Sequence, residues 1–158
     1  MLVAGSFCAA LGCGLMAGVF LAFSSFVMSA LARLPAAQGI AAMQSINIRA
    51  INPIFMAVFC GTAAACSVLC VLALVAAPPG AAYLLSGGLS YVVGSFLVTL
   101  AFNVPRNHRL ARVDPEDAEA ARLWNNYLRS WTTWNHVRMI ASLIATGILT
   151  FWLYHWRA

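Results

Sequence analysis

The sequence predicts an all-α membrane protein: a four-transmembrane-helix bundle with an interfacial connector helix and a cytoplasmic extension of the fourth helix. Three observations carry this. Of the 158 residues, 63% are hydrophobic and only 8% charged, where a soluble domain carries about 25% charged residues. Four apolar stretches are each long enough for a hydrocarbon core that takes about 20 helical residues to cross. The charge is confined to the breaks between those stretches. The length suits one integral membrane domain, residues 1–158, with spans at about 3–30, 53–76, 81–103 and 134–155.

Residues 1–32 contain no charged side chain. Ala30-Leu31-Ala32 imitates a signal-peptidase site, but no basic region precedes the apolar run, which is far too long for a signal peptide. A retained first helix is expected. Ser6, Ala10, Gly14, Gly18 and Ala22 recur every four residues, a small-residue ridge that predicts close helix packing.

Residues 33–52 form the first connector. Pro35 opens a short helix that sets Met43, Ile46, Asn47 and Ala50 on one face, consistent with a helix lying in the membrane interface. Asn52-Pro53 reads as an N-cap followed by proline in the first turn. It starts a second span whose close-packing row is Ala57, Gly61 and Ala65. Pro78-Pro79-Gly80 is a tight, uncharged turn.

The third span carries Ser95, Thr99 and Asn103 at i, i+4 and i+8. Hydroxyls bond back to their own helix readily, but the Asn103 amide needs partners outside hydrocarbon. Pro105 disfavours helical geometry at Val104, so the span is expected to end at Asn103. Residues 106–112, with Arg106, Arg109 and Arg112, should then form a basic loop or short turn. Asp114-Pro115-Glu116-Asp117 reads as a helix start: Asp at the N-cap, proline next, acids in the first turn. Neither glycine nor proline follows until Gly147. One helix from Pro115 through the fourth span would reach roughly 60 Å at 1.5 Å per residue, twice the bilayer core.

At about 100° per residue, Trp124, Tyr127, Trp131, Trp134, Asn135 and Arg138 share one face of that helix. The stripe continues into the span as Ser142, Ala145, Thr146 and Leu149. The opposite face carries Val137, Ile140, Ile144, Ile148 and Phe151, which suits lipid. The stripe should therefore look into the bundle. An arginine within a span is a functional hypothesis by default. No acidic residue lies in any span to pair with Arg138, so its partners must be asparagine amides, carbonyls or an anionic ligand.

Charge asymmetry sets the orientation. All nine basic residues are arginine. Arg33 and Arg49 lie in the first connector, and Arg106, Arg109, Arg112, Arg122 and Arg129 in the third. The second connector has none, and the C-terminus has Arg157. The positive-inside rule places the first and third connectors in the cytoplasm and both termini outside it. Gln44, Asn47, Asn52, Asn103, Asn107, His108 and the stripe then gather in the cytoplasmic half.

Several function classes are disfavoured. The net charge of +5 comes from arginines that flank spans, without the stacking motifs of a nucleic-acid binder. A heme or metal redox protein draws histidines from several spans, whereas His136 sits near a span start and His155 at the opposite end. A proton-coupled transporter usually needs an intramembrane carboxylate, and Asp114, Glu116, Asp117 and Glu119 all lie in one loop. Cys8, Cys13, Cys60, Cys66 and Cys70 are odd in number and lie within spans, so they describe no disulfide framework. Cys66 and Cys70, at i and i+4, have the spacing for a soft metal, but packing is the plainer reading.

The runs Met43-Gln44-x-Ile46-Asn47, Asn52-Pro53, Asn103-Val104-Pro105-x-Asn107-x-x-Leu110 and Trp124-x-x-Tyr127-x-x-x-Trp131-x-x-x-Asn135-x-x-Arg138 resemble the anthrone oxygenase-like family of small four-span membrane proteins. The resemblance covers nearly the whole chain. It implies a cofactor-independent oxygenase that converts an anthrone to an anthraquinone with O2. A flat aromatic substrate would enter from the bilayer and meet Trp124, Tyr127, Trp131 or Trp134, with Asn47 and Asn52 also at the substrate. Loss of the central methylene proton gives an electron-rich anthrolate. Arg138 is then the oxyanion partner, with Asn103, Asn107 and Asn135 as orienting donors. His136 projects about 150° from the stripe, which leaves His108 as the candidate base. The alternative is a non-catalytic membrane protein that binds a hydrophobic or anionic small molecule through the same residues. Neither metal nor cofactor is implied. The partners expected are a small hydrophobic aromatic substrate and the lipid bilayer, not nucleic acid; homo-oligomerisation is left open.

Overall fold

The computed structural model describes residues 2–156; Arg157, used above in the charge asymmetry, lies outside the described residues. Five helices follow one another: α1 (Leu2–Leu31), α2 (Ala36–Ala50), α3 (Pro53–Val75), α4 (Ala81–Leu110) and α5 (Ala120–Trp156). α1, α3, α4 and α5 are each long and apolar enough to cross a membrane. Large apolar side chains such as Leu11, Val68, Ile140 and Ile144 remain on the outside of the bundle. Exposing them costs nothing in hydrocarbon, and the chain is an integral membrane protein.

Local chemistry explains most boundaries. Pro35, extended at ψ 141°, precedes α2. Asn52 caps α3, its Oδ1 accepting from the Phe55 backbone N–H at 3.0 Å. In the turn before α4, Gly80 takes a φ of 72°, and an added Cβ would lie 2.9 Å from Trp152 and Trp156. Trp152 Nε1 donates to the Pro79 carbonyl at 3.0 Å and ties that turn to α5.

Three expectations are corrected. α4 does not stop at Asn103: Val104 is helical at φ −59°, ψ −47°, and the helix runs to Leu110. The cause is a pair of π-helical stretches, Val92–Leu97 and Thr99–Asn103. The second resets the hydrogen-bond phase, so Pro105 falls in the first turn of a new α-helical segment, where its missing N–H is no loss. Residues 106–110 are accordingly helical rather than loop. α5, conversely, begins at Ala120 and not at Pro115. The Asp114 and Asp117 carboxylates accept from the backbone N–H groups of Glu116 and Glu119 at 3.0 and 3.1 Å. Two successive Asp-headed turns thus replace the expected helix start.

The third correction concerns the small-residue rows. α1 buries Ser6, Ala9, Ala10, Gly12, Cys13, Met16, Ala17 and Phe20, while Gly18 is exposed. α3 buries Phe59, Thr62, Ala63, Cys66 and Leu69, and Gly61 has open space around it. Closest approach falls where Gly12 meets the Thr62 side chain and where Cys13 Sγ lies 3.8 Å from Cys66 Sγ. Large side chains chose the faces, and the glycines filled what was left.

α5, unbroken over 37 residues, measures about 55 Å at 1.5 Å per residue. Its first half packs on α2 and the end of α4, and its second half on α1 and α4. Two apolar cores result. One lies towards the termini and includes Cys13, Met16, Cys66, Leu84, Leu149 and Trp152. The other joins Ile40, Met43, Leu110, Trp124, Tyr127 and Trp131 at the arginine-rich end.

Candidate functional site

Between the two cores, α5 presents its stripe to the interior. Trp124, Tyr127, Trp131, Asn135 and Arg138 are buried, and so are Ser142, Ala145 and Leu149 along the same face. Trp134, on the edge of the stripe, is half-buried and stacks on Phe102 with ring centroids 3.6 Å apart.

Arg138 is the centre of the polar part, only 5% exposed. One terminal nitrogen donates to Asn135 Oδ1 at 2.6 Å and the other to Thr99 Oγ1 at 3.3 Å. Its guanidinium carbon lies 4.3 Å from the Phe20 ring centroid and 5.1 Å from that of Trp131. Each such contact contributes about 0.5–2 kcal/mol depending on desolvation. No acidic group approaches; among the described residues the one ion pair is Arg122 with Glu119, both exposed. A buried cation held by neutral dipoles and ring faces keeps its full charge for a further partner. Its Nε has no partner.

Asn135 orients the arginine. Its Nδ2 donates to the Phe20 carbonyl and to Ser24 Oγ, both at 2.7 Å, which fixes the amide so that Oδ1 faces Arg138. These α1 partners were not foreseen from the sequence. The π-helical stretch Phe23–Val27 lies immediately after Phe20, and the only hint of it is a Ser24-Ser25 pair in an otherwise apolar span.

Asn103 and Asn107 lie one turn apart on α4 and meet α5 at two levels. Asn103 Nδ2 donates to the Trp131 carbonyl at 3.2 Å, leaving its buried Oδ1 without a partner. Asn107 Oδ1 accepts from both Tyr127 Oη at 2.9 Å and Trp131 Nε1 at 2.8 Å. The Trp124, Tyr127 and Trp131 rings stack in sequence, centroids 5.7 and 6.1 Å apart.

α2 closes this end. Gln44 Nε2 donates to the Leu110 and Val113 carbonyls at 2.9 and 3.0 Å. Gly39 lies under Trp124, where a Cβ would come within 2.9 Å of the indole. Asn47 stands beside Tyr127, its Nδ2 buried and unpaired, as is Trp124 Nε1.

The structure thus gathers Asn47, Asn103, Asn107, Trp124, Tyr127, Trp131, Asn135 and Arg138. It does not bring in Asn52, which is exposed and used as a helix cap, or His108, which is exposed on α4. His108 follows Asn107 by one residue, so helical geometry turns it about 100° from the face that Asn107 presents to α5. His136 is exposed as well. Among the described residues no group of three or more His, Cys, Asp or Glu side chains is placed to hold a metal.

The cluster is closed: Trp124, Tyr127, Trp131 and Arg138 are all at most 6% exposed. A cavity of about 470 Å3 lies at the other end, between the Pro78-Pro79 turn and Trp152 and Trp156. A groove of about 590 Å3 runs outside along α4 and α5, over Gly94 and Ala141. A ligand as large as three fused rings therefore needs the stacked aromatic side chains to part.

Chemically, the cluster offers one uncompensated cation, several amide and indole donors, and flat apolar walls. No curated protein and no solved structure matches the chain. The family model described as anthrone oxygenase matches residues 55–148, which run from the start of α3 through Asn103, Asn107 and the α5 stripe from Trp124 to Thr146. On that match, over more than half of its length, the chain belongs to the anthrone oxygenase family.

Proposed function

We propose that the chain is a membrane-embedded, cofactor-independent oxygenase acting on a flat aromatic, anthrone-type substrate, with the Arg138 cluster as its site. The observation that carries this reading is a buried arginine with no counter-ion, framed by aromatic rings. Overall, an anthrone and one O2 give one anthraquinone and one water. Loss of the central methylene proton leaves its electron pair delocalised on to the ketone oxygen. The resulting anthrolate adds O2 at the carbon, and the hydroperoxide, once protonated, loses water to give the second carbonyl.

Charge builds on oxygen in both anionic steps. Arg138 supplies a preorganised donor to it, in surroundings where reorganising water is excluded. Asn135 holds the guanidinium in place from behind. Trp124, Tyr127, Trp131 and Trp134 provide ring faces for the substrate, and the free N–H groups of Asn47 and Trp124 suit carbonyl or phenolate oxygens at its edge. The arginine-rich end faces the cytoplasm in this proposal, with both termini outside, as in a bacterial inner membrane. The test is O2 uptake and anthraquinone formation by the protein in lipid nanodiscs. Wild type should turn over, Arg138→Lys should retain a fraction, and folded Arg138→Met should lose activity.

A second reading is favoured by one observation: the histidines nearest the cluster, His108 and His136, are both exposed, so neither serves as an internal base. In that reading the protein binds an aromatic or anionic small molecule without converting it. Saturable binding of anthrones without oxygen uptake would establish it and sink the oxygenase.

A further inference from the structure

Because the polar cluster is closed, a ligand has to pass between side chains, and one place in its wall is suited to that. α4 and α5 run antiparallel there: Arg138 donates to Thr99 Oγ1 at 3.3 Å, and Asn103 Nδ2 to the Trp131 carbonyl at 3.2 Å. Between these two bonds the Phe102 and Trp134 rings lie face to face, centroids 3.6 Å apart and planes 6° from parallel. Both residues are half-buried. The residues that follow them in sequence, Asn103 and Asn135, are buried in the cluster. The stack therefore stands at the seam between lipid and the polar interior.

The geometry of this pair is unusual in the molecule. Phe55–Phe59, Trp124–Tyr127 and Tyr127–Trp131 also stack, with centroids 5.7–6.1 Å apart, within the range of about 4.5–7 Å usual for offset rings. At 3.6 Å, close to one van der Waals contact, little offset is left. Two electron-rich faces then oppose each other, an arrangement that aromatic pairs disfavour. An electron-poor ring placed between them would replace one poor face contact by two good ones. Parting the pair also breaks little else. Tyr127 and Trp131 are tied to Asn107 by hydrogen bonds, whereas stacking alone joins Phe102 to Trp134. Phe102 lies in the π-helical stretch Thr99–Asn103, a feature frequent at functional sites. Val137, exposed and one turn from Trp134, lines the outer groove of α4 and α5, so that groove ends beside the stack.

We propose that Phe102 and Trp134 form a slot that admits a flat, fused-ring, carbonyl-bearing ligand from the bilayer and holds it between their faces. The rings part to about 7 Å, two contact distances, and the inserted ring takes the place that each gave the other. Arg138, one turn from Trp134 and bonded to Thr99, lies at the inner edge of the slot. Its Nε–H, which has no partner, is free to donate to the carbonyl oxygen on which the oxyanion would form. Flatness is the property selected, because a puckered, saturated skeleton is too thick for the gap. The proposal rests on the Arg138 cluster being the ligand site; it adds Phe102 and the route of entry.

The test uses full-length protein in lipid nanodiscs and two probes of one skeleton, anthraquinone and perhydroanthraquinone, which keep the same carbonyls and differ in flatness. Radiolabelled anthraquinone retained on protein-loaded over empty nanodiscs gives its affinity, and competition gives that of the perhydro compound. Wild type should prefer the flat probe at least tenfold. Phe102→Leu and Trp134→Leu should each weaken anthraquinone binding about tenfold, the size found for bases stacked on aromatic side chains. In both the flat preference should fall towards one, while Phe102→Tyr and Trp134→Phe, which keep a ring, should retain it. Should a leucine variant unfold, methionine at the same position, flexible and not flat, makes the same comparison.

A wild type that binds the two skeletons equally overturns the proposal. A purely structural stack predicts a lower melting temperature in the leucine variants with the flat preference kept, and that outcome overturns it too. Slot-dependent binding in a protein that consumes no O2 with an anthrone would sink the oxygenase reading and leave the slot standing. Turnover of an anthrone by both leucine variants at the wild-type KM would overturn the slot and leave the oxygenase standing.

Discussion

The two halves of the bundle solve the same packing problem with opposite means. Towards the termini, Cys13, Cys66, Leu84, Leu149 and Trp152 are each at most 2% exposed, and shape does the joining. Tyr91 and Trp152 carry the polar atoms of that half's large side chains, and both are paired, to the Phe59 and Pro79 carbonyls, while the Ser6 hydroxyl is buried there without a partner. Towards the arginine-rich end, Asn103 and Asn135 are buried as deeply and Arg138 nearly so, and directional bonds do the joining. Lipid offers no hydrophobic drive between helices, so packing and hydrogen bonding are the available forces, and this chain assigns one to each end. The difference teaches where function sits. The half that holds an uncompensated charge is spending stability on something other than cohesion.

Substitutions that remove one means from its own half test the division. The largest effect is expected for Arg138→Met: turnover of an anthrone should fall by about 100-fold or more, the usual consequence of losing an oxyanion donor. Melting temperature should change little, because relief of a buried charge offsets the cost of leaving the buried Asn135 Oδ1 without its donor. A collapse of the fold instead would mean that the arginine is structural. In the other half, Leu149→Ala should cost roughly 2–5 kcal/mol of stability, with kcat per folded molecule unchanged. Gly88→Ala should cost about 1–3 kcal/mol by overpacking, since its Cβ would meet the Cys66 carbonyl oxygen at 2.8 Å; denaturation in detergent measures both. The smallest effect is expected for His108→Ala. It should change stability by no more than about 0.5 kcal/mol and leave the pH profile of turnover in place, and a lost acidic limb would restore His108 as the base.

The parts of this division that were legible in the sequence are those written in a single period. Trp124, Tyr127, Trp131, Asn135 and Arg138 share a face at helical spacing, and their burial follows from it. Asn52 was readable as a cap from the proline that follows it, and the structure shows it in that role, exposed at the start of α3. What could not be read depended on a second helix. Gly18 and Gly61 look like close-packing positions until Phe20 and Phe59 claim the adjacent faces. The Phe20 carbonyl and Ser24, which hold Asn135, carry no pattern, because a backbone oxygen has no letter in the sequence. Pro105 misled for a related reason: its rule assumes an α-helical phase that the preceding π-helical stretch had already shifted.

That shift has a consequence for how the molecule can vary. Each π-helical stretch amounts to one residue more than an α-helix would use over the same rise. The stretch at Thr99–Asn103 therefore works as a phase adjuster, uncoupling the face that α4 shows beyond it from the face it shows before. Deleting a single residue there, Leu100 for instance, would let the α-helix close up over the same rise and leave everything past it on the face it already shows. Asn103 and Asn107 would stay against α5. A deletion in the purely α-helical part of α4, Leu89 for instance, meets no such slack and would turn the two sides of the deletion by about 100° relative to each other, a lesion readable as lost packing.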